Sequence, residues 1–207
     1  MKPGGEDAKS GQGGTAARAG LAVLLSGSGR TLSNLFEQID AGKLHARIVR
    51  VIASRECTGA EIARARGVET VVEPGEIAPE RLAALLAGVD WVVLAGYLRR
   101  VAIPRGYEGR VVNIHPALLP AFGGPGMYGL KVHQAVIDSG VRVSGCTVHL
   151  CDSEYDRGPI VLQETCPVLP GDTAQTLADR VFELERVVYP RALELLISGR
   201  VRVGENP

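Results

Sequence analysis

The sequence predicts an α/β fold: a single doubly wound, mostly parallel sheet with an antiparallel hairpin in its C-terminal part and a long C-terminal helix. Three observations lead there. Short apolar, β-branched runs alternate with segments whose apolar residues recur at helical spacing, glycines fall where those helices should stop, and beyond His115 the alternation gives way to two strands joined by one turn. Repeated βα units with short connections wind into a parallel sheet with right-handed crossovers, whereas strands joined by a single turn pair as a hairpin.

The first twenty residues are Gly-rich and polar and hold no apolar segment, so they are expected to form a flexible tail ahead of one domain spanning 21–207. Leu21-Ala22-Val23-Leu24-Leu25 is apolar without interruption, as in a strand covered on both faces. Ser26-Gly27-Ser28-Gly29-Arg30-Thr31 then turns into a helix in which Leu32, Leu35, Phe36 and Ile39 repeat at helical spacing, with Gly42 as its terminator. The alternation continues with strand 48–54, helix 59–66 closed by Gly67, strand 70–72, helix 79–87, strand 91–95 and strand 111–115. Past it, a Gly- and Pro-rich loop spans 120–129, a helix covers about 130–139, and strands 144–151 and 160–168 are joined through a turn at 152–159. An amphipathic helix from about Thr173 to Ile197 closes the fold, with Asp172 or Thr173 as N-cap and Gly199 as stop.

With 207 residues, 45% of them hydrophobic, the chain is long enough for one well-packed domain. Its 23 basic residues balance its 23 acidic ones, which argues against general electrostatic attraction to nucleic acid or an anionic membrane. There is no apolar run of about 18 residues, so no transmembrane helix is expected. The four cysteines form no CxxC pair, and without a secretion signal they read as reduced thiols in the cytoplasm.

Candidate chemistry concentrates at the end of strand 111–115. Side chains alternate along a strand, so Asn113 and His115 face one way and Val112 and Ile114 the other. Pro116 has no N–H to donate, ends the ladder and leaves His115 at a carboxyl edge, where open α/β sheets bind ligands. An amide beside an imidazole can donate to one oxygen and hold a developing oxyanion; taken alone, such a histidine is more often structural. The glycine loop before the first helix can seat a phosphate on backbone N–H groups, although it is neither a full GxGxxG nor a Walker A pattern. In the turn, Asp152, Glu154 and Asp156 crowd into five positions, and Asp156 could reach His115, fix its orientation and raise its pKa.

Cys146, His149 and Cys151 do not make a metal site, because period two puts Cys146 on the face opposite the other two. His149 reads as a core histidine or a partner of the site, the structural version being favoured. His133 reads as a surface histidine, and His45 has no chemical neighbours in sequence. The loop 122–129 is long and glycine-laden, as loops over sites often are.

Asn113-Ile114-His115-Pro116-Ala117-Leu118-Leu119-Pro120, Gly145-Cys146-Thr147-Val148-His149 and Asp156-Arg157-Gly158-Pro159-Ile160-Val161-Leu162-Gln163 together resemble the signature of the folate-dependent formyltransferases, and the likeness runs from about Leu21 to Gly199. Within that superfamily the chain is most similar to the branch that formylates glycinamide ribonucleotide in de novo purine synthesis. The resemblance implies a Rossmann-like fold, 10-formyltetrahydrofolate as co-substrate, no metal, and direct attack of the amine through a tetrahedral intermediate. It assigns catalysis to Asn113, His115 and Asp156, the nucleotide to Gly29, Arg30, Thr31 and Glu185, and the folate to Leu98, Arg99, Arg100, Val101, Asn113, Asp152, Ser153, Glu154, Tyr155 and Asp156, with Arg81 a further candidate. On this basis a protonated His115 is expected to polarise the formyl oxygen together with Asn113.

Many relatives carry Gly-Ser-Asn where this chain has Gly29-Arg30-Thr31, and the loop 123–129 is longer than in several of them. Two other branches share the Asn-His-Pro core. One formylates initiator methionyl-tRNA and adds a C-terminal nucleic-acid-binding domain; the other hydrolyses formyltetrahydrofolate and adds an N-terminal regulatory domain. Neither addition is expected here, and the implied partners are small molecules, with no nucleic acid and no membrane, for a monomer or homodimer.

Overall fold

The computed structural model describes residues 18–201. Most of the expected tail, residues 1–17, lies outside the described residues; the first strand already begins at Ala19, two residues earlier than the sequence suggests. Five parallel strands, β1 (Ala19–Leu25), β2 (Ala46–Ala53), β3 (Glu69–Val72), β4 (Trp91–Leu94) and β5 (Val111–His115), alternate with helices α1 (Arg30–Asp40), α2 (Thr58–Ala65) and α3 (Pro79–Leu85) before β4. Helix α4 (Leu130–Asp138), the strands β6 (Val143–Leu150) and β7 (Ile160–Pro167), and α5 (Ala174–Ile197) complete the chain.

The sheet order is β3-β2-β1-β4-β5-β6-β7, with β6 antiparallel to β5 and β7 antiparallel to β6. The chain steps outward from β1 to β3 and then returns to the other side of β1 with β4. The carboxyl ends of β1 and β4 therefore frame a topological switch point, the usual ligand crevice of a doubly wound sheet. β5 adds a third carboxyl end beside them.

The uninterrupted apolar run of β1 feeds two cores at once. Leu21, Val23 and Leu25 pack among Leu32, Leu35, Ala60, Ala63, Val181 and Leu193 from α1, α2 and α5, while Ala22 and Leu24 pack with Leu82 and Leu85 of α3 on the other face. Thr173 is the N-cap of α5, accepting from the Thr176 N–H in a capping box, and Asp172 pairs instead with Arg180 at 2.6 Å. Gly42, Gly67 and Gly199 all take positive φ just past helix ends, as the sequence predicts.

Two contacts lock α5 in place over the sheet. Pro190 lies inside the helix and cannot donate to the Arg186 carbonyl, which instead accepts from Asn34 Nδ2 of α1 at 2.9 Å. Tyr189 is fully buried, and its hydroxyl sits between the carbonyls of Leu94 and Val112 at 2.9 and 3.0 Å, on the strands that frame the crevice. One turn earlier, the same helix carries Glu185 to the crevice wall. Among the described residues no helix is long and apolar enough to cross a membrane.

Candidate active site

The loop leaving β1 is tied to the neighbouring strand ends through Ser26. Ser54 Oγ donates to Ser26 Oγ, which also accepts from the Leu98 N–H, joining the ends of β1, β2 and β4. Gly29 caps α1 with φ 76°, and a Cβ there would stand 2.6 Å from the Gly59 Cα, so both its conformation and its neighbour require glycine. No side chain caps α1, which leaves the N–H groups of its first turn open to an anion at the positive end of the helix.

At the end of β5 four side chains converge. Asn113 and His149 are cross-strand partners on β5 and β6, and Asn113 Nδ2 lies 3.1 Å from His149 Nε2. The other imidazole nitrogen, Nδ1, donates to the Leu150 carbonyl at 3.0 Å, so Nε2 accepts from the Asn113 amide and fixes its orientation. His115 Nε2 donates to the Phe122 carbonyl at 2.8 Å, which turns Nδ1 toward Asp156 Oδ2 at 3.5 Å. Asp156 also accepts from the Gly124 N–H at 2.8 Å, and its Oδ1 stands 3.6 Å from His149 Nε2.

Among the described residues, Phe122 and Asp156 are the non-glycine residues with positive φ, at 56° and 55°, and both contact His115. Such backbone costs on the order of 1 kcal/mol each and clusters where geometry is held for function. Just beyond Asp156, a Cβ on Gly158 would fall 1.8 Å from the Leu150 carbonyl oxygen, so the Asp-Arg-Gly-Pro turn can cross β6 only with glycine there.

Burial pushes the His115 imidazole below its ordinary pKa, although the Asp156 carboxylate and the Phe122 carbonyl pull the other way. The sequence predicts that Asp156 raises it overall; desolvation of a residue 3% exposed outweighs the ion pair and favours the neutral imidazole. Burial tends to raise Asp156, but His149, the Gly124 N–H and the His115 field together hold it below the usual carboxylate range. Glu185 is raised to about 7, mainly by burial and partly offset by Arg30. The Cys151 thiol is pushed to about 12 by burial and is no nucleophile at neutral pH.

These groups share one cleft of about 310 Å³ along the carboxyl ends of the strands. Its walls include Asn113, His115 and Asp156, the stretch from Leu98 through Arg99, Arg100 and Val101, the turn from Asp152 through Ser153, Glu154 and Tyr155, and Thr31 and Glu185. Gly29 and Arg30 precede Thr31 at the start of α1 and are not among the wall residues. Arg81 is not among them either; it pairs with Glu73 across Nε–Oε1 2.8 Å. Gly124, Gly126, Met127, Tyr128 and Gly129 of the glycine-rich loop line the cleft.

Two histidines differ from their sequence readings. His149 is buried yet lines the cleft and orients Asn113, a role visible only once the β5–β6 register is known. His133, expected at the surface, is 4% exposed within α4, its Nδ1 has no partner, and burial lowers its pKa to about 4, with His115 adding to the shift. Cys146 packs in the core under α5 while His149 and Cys151 face the cleft, the opposite faces that alternation predicts. His45 pairs with Glu194 at 3.0 Å, away from the cleft.

The formyl transferase family model matches residues 19–193. The chain is 41% identical over 198 residues to the chloroplastic phosphoribosylglycinamide formyltransferase of Vigna unguiculata, covering 90% of this chain and 64% of the plant protein's length. The Haemophilus influenzae phosphoribosylglycinamide formyltransferase is 31% identical, over 90% of this chain and 91% of its own. The crystal structure of glycinamide ribonucleotide transformylase 1 from Symbiobacterium toebii superimposes with a TM-score of 0.82 at 38% identity, covering 91% of this chain and 92% of that one. With the family model spanning the sheet and most of α5, and bacterial relatives matched over nearly their whole length, the chain belongs to the formyl transferase family, among the phosphoribosylglycinamide formyltransferases.

Proposed function

We propose that the chain transfers a formyl group from 10-formyltetrahydrofolate to the amine of glycinamide ribonucleotide, giving N-formylglycinamide ribonucleotide and tetrahydrofolate in purine biosynthesis. The observation that carries this reading is the one cleft whose walls bring Asn113, His115 and Asp156 together with the stretch 98–101, the turn 152–156, Thr31 and Glu185. A folate bound against 98–101 and the turn 152–156 would present its formyl carbon to an amine whose phosphate sits on the open first turn of α1.

The free amine nitrogen attacks the formyl carbon, and the carbonyl electrons move onto oxygen. The second N–H of the Asn113 amide, left over from its bond to His149, donates to that oxyanion. His115 starts neutral with Nε2–H on the Phe122 carbonyl, so Nδ1 is the basic atom that takes the proton from the attacking nitrogen, through water where the gap requires it. Asp156, beside Nδ1, stabilises the imidazolium so formed. Collapse breaks the bond from carbon to the folate nitrogen, which receives the proton back from His115. This assigns His115 as a base in place of the protonated donor expected from sequence.

No metal enters these steps, and no group of three or more candidate ligands clusters among the described residues. The four cysteines are all free thiols, which supports the cytoplasm or another reducing compartment as the setting; the plant relative is described as chloroplastic. The test is tetrahydrofolate release by the purified protein with glycinamide ribonucleotide, initiator methionyl-tRNA or water alone as acceptor. Release that depends on glycinamide ribonucleotide is expected. A faster reaction with either alternative would replace the reading with that acceptor's.

A further inference from the structure

Arg30 and Phe182 meet across α1 and α5, the two helices that contribute Thr31 and Glu185 to the cleft wall. The Arg30 guanidinium lies over the Phe182 ring with Cζ 3.7 Å from the centroid. Arg30 is the first residue of α1, immediately after its uncapped N-cap, and Phe182 stands on α5 three residues before Glu185, on the same helix face. Arg30 is exposed and makes no ion pair among those found between described residues, while its positive charge is felt by Glu185.

A guanidinium seated over a ring is favoured by the negative face of that ring, and the N–H donors not directed at it stay available to an anion. Holding a long, rotamer-rich side chain in place before the anion arrives also reduces the ordering that binding must impose. We propose that Phe182 is a positioning residue for the substrate's phosphate: its ring holds Arg30 beside the open N–H groups of α1, so that guanidinium and backbone donors grip the same phosphate oxygens. This rests on the phosphate-ester substrate named under the proposed function. It goes further by assigning a role to an aromatic residue outside the cleft wall, and by making the grip depend on two helices rather than on one loop.

The experiment compares wild type, Phe182→Leu, Phe182→Trp, Arg30→Ala and the Phe182→Leu/Arg30→Ala double variant, each checked for folding by thermal melting. Two readouts are taken: steady-state kinetics with glycinamide ribonucleotide, and calorimetric binding of ribose 5-phosphate, which needs no turnover. Phe182→Leu keeps apolar bulk but removes the ring, and should raise both the KM for the nucleotide and the ribose 5-phosphate Kd by about threefold to fivefold. The kcat and the KM for formyltetrahydrofolate should stay within about twofold, and Phe182→Trp should restore wild-type values. In the Arg30→Ala background Phe182→Leu should add nothing, since its effect runs through Arg30. An unchanged ribose 5-phosphate Kd in Phe182→Leu, or an equal loss with Arg30 already absent, overturns the proposal. If wild type does not formylate the nucleotide, the reaction assigned above falls, and the ribose 5-phosphate series still decides the role of Phe182.

Discussion

Asn113 Nδ2 donates to His149 Nε2 across 3.1 Å between directly paired positions of β5 and β6. That bond ties the orientation of the amide to the pairing register of two strands, because the Leu150 carbonyl takes the other imidazole N–H. The amide can donate to a developing oxyanion only while His149 holds it with nitrogen toward the cleft.

His149→Ala should therefore lower kcat by roughly tenfold to a hundredfold while leaving both KM values within about threefold, since it misorients a donor whose removal costs about a hundredfold or more. His149→Gln, whose side-chain oxygen can accept from the Asn113 amide, should recover part of the loss. Steady-state kinetics on folded variants checks this; wild-type kcat in His149→Ala would separate the imidazole from the amide's function.

The depressed pKa of His115 sets the pH dependence. Its basic form predominates above a value lower than the ordinary 6.5, so kcat should be flat from about pH 7 to 8 and fall on the acid side. A protonated donor would give the reverse, with activity lost as pH rises through that pKa. The pH profile of kcat at saturating substrates tells the two apart.

Glu185 is an example of function held against stability. Its folded pKa, about 7, lies above the ordinary glutamate value of 4.5 that it has in the unfolded chain, so its contribution is fully present below about pH 4.5 and is lost as pH rises toward 7. Glu185→Gln should stabilise the fold at pH 8 by roughly 1 to 3 kcal/mol, allowing for the partial exposure of the side chain. The same variant should raise the KM for glycinamide ribonucleotide. Urea unfolding at pH 5 and pH 8 measures the first effect, and a gain present equally at both values would contradict it.

His133 should make the protein acid-sensitive. Its pKa falls from 6.5 to about 4 on folding, so the unfolded chain binds the proton first and stability is lost as pH drops through that window. The loss amounts to about 3 kcal/mol by pH 4, at 1.36 kcal/mol per pH unit. His133→Gln should flatten the dependence of unfolding free energy on pH between 7 and 4, and an unchanged slope would show that other groups carry it.

Much of the fold was legible because the local signals agree with the global one. The unbroken apolar run of β1 announced a strand covered on both faces, and Gly42, Gly67 and Gly199 marked helix ends within a residue or two. Asn113 and His115 were legible as a pair because alternation along one strand is a local property, and Asp156 because it sits in a turn with its own Gly-Pro signal. His149 and His133 were not, because each depends on something no local pattern encodes. For His149 that is a cross-strand register, and for His133 the way α4 packs against α5 and buries the ring. The direction of the His115 shift is not legible for a related reason: the carboxylate partner can be read from sequence, but the depth of burial that outweighs it cannot. The carbonyl of Phe122 and the N–H of Gly124, which complete the surroundings of His115 and Asp156, are backbone groups and leave no trace in residue type.

The most direct test of the central claim is the rate of tetrahydrofolate formation from 10-formyltetrahydrofolate and glycinamide ribonucleotide by wild type, Asn113→Ala, His115→Ala and Asp156→Asn, with thermal melting to confirm folding. Loss of about a hundredfold or more in kcat is predicted for Asn113→Ala and His115→Ala, and a smaller but clear loss for Asp156→Asn, which keeps the shape but not the charge beside the imidazole. Near-wild-type turnover by folded Asn113→Ala and His115→Ala would contradict the account.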